Sequence, residues 1–223
     1  MRNLLNTITT GDARELSSSI PDNSIDLIFT DPPYIQKHIH LYGWLAEEAA
    51  RALKPGGILL CYVGTYWKYN VAQDLGKHLD FFWDFIALNR GNRPVMWQRH
   101  VLAGYKSILA FSKGKPDLPP GNILDVWVGS GEDKRYHLWG QDESTARYYI
   151  ACFARPGAMV LDPFVGGGTT AMACKVLGRD FIAFEIDPDT ADIARKRLET
   201  VQPLLMPEEM EQQVNMWESE VAV

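Results

Sequence analysis

The sequence predicts a single α/β domain built on a doubly wound, mostly parallel sheet, and three observations carry that prediction. Short apolar runs alternate with helix-patterned segments along almost all of the 223 residues. The runs are apolar at consecutive positions, as strands covered on both faces must be. Gly, Pro and Asp punctuate their ends, where a chain turns from strand to helix. A hydrophobic fraction of 46%, with 18 Gly and 13 Pro, suits one domain with a sizeable core.

Taken in order, residues 4–9 and 25–30 are the first two expected strands. Leu41, Trp44, Leu45, Ala49, Ala52 and Leu53 then recur mostly at three- and four-residue spacing, a helical stripe that Lys54-Pro55-Gly56-Gly57 should end. Further strands are expected at 58–63, 81–88, 107–111, 159–161 and 181–184, making seven. Residues 169–177 pattern as a helix closed by Gly178. Asp187 supplies an N-cap before Pro188, and Ala191, Ala194, Leu198 and Val201 continue as a stripe.

Composition narrows the function classes. No 18-residue apolar run is present and the first residues lack a signal-peptide layout, so an intracellular protein with no membrane partner is expected. Cys61, Cys152 and Cys174 lie in apolar segments without CxxC spacing, which predicts buried free thiols. The five histidines (His38, His40, His78, His100, His137) show no ligand spacing, so no metal is expected. A net charge of −6 argues against nucleic acid, but Glu208, Glu209, Glu211, Glu218 and Glu220 place −5 of it in residues 203–223. Residues 89–115 instead carry +6, from Arg90, Arg93, Arg99, Lys106, Lys113 and Lys115, with Trp97, His100 and Tyr105 interleaved. Cations for phosphates beside rings for bases suit a nucleic-acid surface; a solvated basic loop fits equally well at this stage.

Two sites fall at strand ends. Asp31 follows the strand of SIDLIFT and Asp162 that of MVL, so in a parallel sheet both carboxylates lie on the edge where α/β proteins bind ligands. Gly166, Gly167 and Gly168 remove side chains between the second of these strands and a helix whose first N–H groups are free. Glu185, 19 residues after Gly166 and at the next strand's end, could accept both hydroxyls of a ribose. A nucleoside cofactor fits, and the spacing alone leaves NAD open.

Asp31-Pro32-Pro33-Tyr34 adds specificity. An exocyclic amine on a base is a poor nucleophile because its lone pair is delocalised into the ring. Acceptors for its two N–H bonds would localise that pair. Asp31 offers a carboxylate and Pro32 a carbonyl, both aimed by proline-restricted backbone, and Tyr34 offers a stacking face. Stacking is worth about 1–3 kcal/mol per base, which offsets much of the cost of extrusion. Positioning can recover about 7–11 kcal/mol of barrier without a metal or a covalent nucleophile.

These motifs resemble the amino-methylating, S-adenosylmethionine-dependent DNA methyltransferases, in the beta-group order where DPPY precedes the cofactor loop. GDARELSSSIPDNSIDLIFTDPPY, ALKPGGILL, YKSILAFSKGKP, DKRYHLWGQ, VLDPFVGGGTTAMACKVLGRDFIAFEIDP and ARKRL match successive family blocks. The resemblance implies a circularly permuted, seven-stranded class I methyltransferase sheet and S-adenosyl-L-methionine in place of NAD. It implies that Asp31, Pro32, Pro33 and Tyr34 receive a flipped adenine. Phe164, Gly166 and Gly168 would line the methionine part of the cofactor beside Asp162 and Thr169, with Gln141 and Ser144 closing over that end. Glu185 would bind the ribose, and Asp12 would lie near the cofactor's adenine.

Many relatives carry a long target loop after DPPY, whereas here only IQKHIH separates Tyr34 from the expected helix. Double-stranded DNA is therefore assigned to Arg90, Arg93, Arg99, His100 and Lys106, within a target-recognition segment at 89–140 embedded in a methyltransferase domain at 1–202. An acidic tail follows at 203–223, with Met210, Val214 and Trp217 at helical spacing. GGGTT departs from a common serine at its middle position, where Gly167 needs less room. Adenine N6 is expected over cytosine N4, whose enzymes more often carry serine in place of Asp31. A non-catalytic nucleic-acid-binding subunit is the alternative from another class, and retention of the acid and glycines opposes it. The resemblance also allows a homodimer and a cognate restriction endonuclease not required for activity, in the cytoplasm of a prokaryote or a virus-infected cell.

Overall fold

The computed structural model describes residues 2–33, 36–88, 95–97, 99–119, 121–129 and 143–201. Tyr34, Arg90, Arg93, Gln141 and the 203–223 tail lie outside the described residues. In chain order the elements are β1 (Thr7–Thr10), α1 (Ala13–Leu16), β2 (Ile25–Thr30), α2 (Leu41–Ala52), β3 (Leu53–Val63), α3 (Lys68–Leu75), β4 (Asp80–Leu88), β5 (Val95–Met96) and β6 (Val101–Leu102). They continue with β7 (Tyr105–Ser112), β8 (Val126–Val128), α4 (Glu143–Phe153), β9 (Met159–Asp162), α5 (Thr169–Leu177), β10 (Asp180–Glu185) and α6 (Pro188–Thr200).

The central sheet runs β1-β10-β9-β2-β3-β7-β4-β8, and β5 pairs β6 in a separate hairpin. Every neighbouring pair from β1 to β3 is parallel, β7 is antiparallel to both β3 and β4, and β8 pairs parallel to β4. The seven expected strands are all present. The eighth, β8, has only three residues, with a half-exposed burial pattern too short to stand out as an apolar run.

Helices cover both faces. One core layer joins the sheet to α4, α5 and α6 through Tyr149, Ala173 and Ala194, and the other joins it to α2 and α3 through Leu45 and Val71. α2 has no side-chain bond at its N-cap. Its stability comes from the buried face of Tyr42, Leu45, Ala46, Ala49 and Ala52, since burying one large apolar side chain contributes about 1.5–3 kcal/mol.

Three local expectations change. Residues 4–6 are not strand: a short 3-10 turn at Arg2–Leu4 precedes β1, and Asn6 takes φ 55°, which ends extended geometry there. Lys54-Pro55-Gly56-Gly57 lies inside β3 as an irregularity, since pairing jumps from Ile25↔Leu53 to Leu27↔Ile58. Gly56, at φ 84°, is pinned there by its N–H to the Lys113 carbonyl at 2.8 Å. The 81–88 strand is not covered on both faces as its apolar run predicts: Phe85 is buried and Phe82 packs on the core, but Phe81 and Trp83 are 59% and 50% exposed. All three cysteines are free and buried. Among the described residues no helix is long and apolar enough to cross a membrane.

Candidate active site

The chain leaves β2 through α2 toward β3 and leaves β9 through α5 toward β10, in opposite directions along the sheet. β2 and β9 are adjacent and parallel, with Ile28 opposite Leu161. The crevice at their carboxyl ends is therefore the topological switch point, and Asp31 and Asp162 flank it. Thr30 donates its hydroxyl to Asp162 Oδ1 at 2.7 Å, and the Phe164 N–H donates to the same oxygen at 3.0 Å. Asp162 is 3% exposed, and burial pushes its carboxyl up to about 6. Hydrogen bonds from Thr170, Thr30 and Phe164 N–H oppose that rise, and the nearby Asp31 charge adds to it. Cys61, opposite Thr30 on β3, has its thiol pushed well up by burial and by Asp31 and Asp162, so it is no thiolate nucleophile.

Asp31 is partly buried, Pro32 is buried and Pro33 is exposed. The Asp31 Oδ1 atom itself is buried. The Pro32 carbonyl lies 3.4 Å from the hydroxyl of Tyr42, which also donates toward the Tyr62 carbonyl at 3.2 Å. A fully buried α2 side chain thus braces the backbone of the DPPY turn.

The glycine turn separates its roles by position. Gly166 has φ 49°, and a Cβ there would meet nothing within 4 Å. Gly168 has φ 90° and serves as the α5 N-cap residue, but a Cβ there would stand 3.2 Å from the Ala194 Cβ on α6. The first glycine leaves open space at the crevice and the last permits helix packing. Glu185 receives two backbone donors, Gly166 N–H on Oε2 and Asp187 N–H on Oε1, both at 2.9 Å. Each carboxylate oxygen keeps a further lone pair. Asp12 caps α1 beyond β1, next to Glu185 through the Gly11 N–H to Glu185 carbonyl bond at 2.8 Å. Its carboxyl is lowered, first by hydrogen bonds from the Arg14 guanidinium.

Phe164 sits edge-on to Trp44 of α2, with ring centroids 5.9 Å apart, and Thr169 opens α5. Ser144, in the first turn of α4, accepts from Trp127 Nε1 of β8 at 3.2 Å. The open face at Gly166, the acceptor capacity of Glu185 and the acids at the switch point fit a zwitterionic nucleoside cofactor, with Asp12, Phe164 and Thr169 on the same edge.

Beyond β3 and β4 the same edge looks different. The Arg99 guanidinium lies 5.4 Å from the Tyr66 ring centre, and Lys68 Nζ lies 6.0 Å from that of Tyr105 while pairing with Asp84. His100 turns the β5–β6 hairpin at φ 53° and is exposed, and Lys106 stands on β7 opposite Ala87. A cavity of about 340 Å³ opens there between Tyr66, Met96, Arg99, Leu102 and Tyr105. Of the five residues expected to meet DNA, Arg99, His100 and Lys106 thus gather on this flank.

Thr30, Tyr42, Trp44 and Arg197 belong to the site without a mark in the sequence that singles them out. Arg197, 8% exposed, donates to the Gly167 carbonyl. Its position three residues after Ala194 puts it on the apolar stripe of α6, a signal that the charge obscures.

The sequence and fold have known counterparts. A family model described as DNA methylase matches residues 119–196. The type II methyltransferase M.BglII of Bacillus subtilis is 30% identical over 249 residues, covering 85% of this chain and 68% of the relative. The crystal structure of an M1.HpyAVI–SAM complex superposes with TM-score 0.74 at 25% identity, over 86% of this chain and 98% of that one. The PvuII cytosine-N4 DNA methyltransferase gives TM-score 0.75 at 19% identity, over 95% and 92%, a likeness of fold alone.

Proposed function

The chain belongs to the N6/N4 family of S-adenosylmethionine-dependent DNA methyltransferases, and from that premise we propose that it methylates the N6 amine of an adenine flipped out of double-stranded DNA. The observation that carries the reading is the pairing of Asp31 with Asp162 and the glycine turn across one switch point. S-adenosylmethionine supplies an electrophilic methyl group on a sulfonium.

The protein's own work is positional. Asp31 and the Pro32 carbonyl accept the two N–H bonds of the target amine, so its lone pair points out of the ring plane. Tyr42 keeps the Pro32 carbonyl in place, and Tyr34 stacks on the base. Phe164, Gly166, Gly168 and Thr169 line the cofactor's methionine end with Asp162, while Gln141 and Ser144 close over it. Glu185 uses its remaining lone pairs for the ribose hydroxyls, and Asp12 lies near the adenine ring. In-line placement of two reactants is worth about 7–11 kcal/mol of barrier, and the proton that the methylated amine must lose would pass to Asp31 or to water.

DNA engages the other flank of the edge. Residues 89–140 form the contact segment within the 1–202 domain, with Arg90, Arg93, Arg99, His100 and Lys106 meeting phosphates. The exposed Tyr66 beside Arg99 and Tyr105 beside Lys68 favour this placement, because rings and cations together suit nucleic acid. The protein works in the cytoplasm on this reading. Cytosine N4 is the second reading, favoured by an acceptor pair that suits either amine.

Incubation with labelled S-adenosylmethionine and duplex DNA, followed by nucleoside analysis, is expected to give N6-methyladenine. Label in N4-methylcytosine would replace adenine with cytosine as the target. Absence of label in either nucleoside, with cofactor binding intact, would favour a non-catalytic binding role.

A further inference from the structure

We propose that Arg197 is a positioning residue for the cofactor turn, holding the Gly167–Gly168 peptide in the orientation that leaves the binding face open. Three consecutive glycines have wide backbone freedom, so something outside the turn must select one conformation. The Gly168 N–H donates to the Val165 carbonyl at 2.9 Å, and the Gly167 carbonyl accepts from Arg197 Nη1. That peptide unit is pinned at both ends. The Gly166 N–H is held separately by Glu185 at 2.9 Å, and Gly168 packs on Ala194, one turn before Arg197 on α6.

The consequence is electrostatic as well as steric. A flip of the Gly167–Gly168 peptide would turn a carbonyl dipole into the crevice, where Asp162 and Glu185 already concentrate acceptors. It would also break the Gly168 N–H bond and disturb the entry to α5. Arg197 opposes the flip with a charge-assisted bond from a buried guanidinium. It stands behind the turn and acts on the cofactor only through the backbone.

The inference rests on S-adenosylmethionine as the cofactor, and calorimetry of the wild-type protein tests that premise separately. Arg197→Met is expected to raise the S-adenosylmethionine Kd about tenfold, or about 1.4 kcal/mol. Arg197→Lys, which keeps one cationic donor, should recover much of that loss. Amide hydrogen exchange at Gly168 should accelerate in Arg197→Met and less in Arg197→Lys. A lowered Tm with unchanged Kd and unchanged Gly168 exchange would overturn the proposal and leave Arg197 a packing residue. If Arg197→Met does not fold, Arg197→Gln, which removes the charge but keeps a polar side chain, decides: a wild-type Kd and a wild-type Gly168 exchange rate in that variant would overturn it.

Discussion

The two flanks of the binding edge are built in different ways. From β1 to β2 the site is made of groups already held by internal hydrogen bonds: the Asp162 carboxylate by Thr30 and the Phe164 N–H, the Gly166 N–H by Glu185, the Gly167 carbonyl by Arg197. From β3 to β4 the edge carries side chains that reach into solvent, with Tyr66 41%, Trp97 74% and Leu102 60% exposed. The first flank suits one small ligand with fixed geometry, since each group it offers has its position set before binding. The second suits a large charged partner, which brings its own surface to cover exposed rings. On the proposed function chemistry and grip fall on separate flanks, and variants can test the separation.

The largest effect should come at Asp31. Asp31→Ala is expected to lower kcat by about 10²-fold or more, the cost of removing one preorganised charge-stabilising group, and calorimetry should find cofactor affinity nearly unchanged. An equal loss of cofactor binding would merge the two roles.

Asp162 gives the next effect, read through pH. Its folded value of about 6 lies above the ordinary carboxyl value of 3.8, so the folded state holds the proton more tightly. The stability contributed is full below pH 3.8 and is lost as pH rises through 6, up to about 3 kcal/mol for a shift of this size. Asp162→Asn, which keeps an acceptor for Thr30 and Phe164 N–H, should remove that component. Denaturant midpoints of the unliganded protein should show the variant gaining on wild type between about pH 4 and pH 7. A constant gap would mean that the carboxyl titrates normally.

The two glycines should fail differently. Gly166→Ala puts a methyl into open space at positive φ and should weaken S-adenosylmethionine binding beyond its folding cost, about 1–2 kcal/mol for a left-handed non-glycine residue. Gly168→Ala drives the same methyl against Ala194 and should lose more in Tm than in affinity for the fraction that folds. Parallel melts and titrations separate these outcomes.

The smallest effect, and the one specific to the proposed DNA contacts, is salt dependence. Replacing Arg90, Arg93 and Arg99 with Ala should flatten log Kd for DNA against log salt by about 0.9 for each phosphate that is no longer neutralised. S-adenosylmethionine affinity should stay the same. An unchanged slope would argue against these arginines as the proposed DNA contacts.

Much of the cofactor flank is legible in the sequence because its groups sit at strand ends, where apolar runs stop at an acid or a glycine. Asp31, Asp162 and Glu185 can be placed on one edge from the runs before them and the parallel sheet those runs imply. Tyr42 and Arg197 cannot, since a polar atom inside a helix reads as solvent-facing until the backbone it serves is seen. Tyr42 meets Pro32 ten residues away, and Arg197 meets Gly167 thirty residues away. The other flank is only partly legible: +6 marks residues 89–115 as basic, but Lys113 lies at the far end of β7, hydrogen-bonded to the Leu53 carbonyl, and the cation–ring pairs join Arg99 to Tyr66 and Tyr105 to Lys68, across separate loops.

By itself the sequence determined the alternation of strand and helix, the strand-end acids and the glycine turn, because local hydrophobic pattern and backbone freedom are properties of short segments. Tertiary structure alone decided which strand ends became neighbours. Thr30 and Asp162 lie 132 residues apart, and only the pairing of β2 with β9 in the folded sheet brings them to 2.7 Å and turns two separate punctuation marks into one crevice.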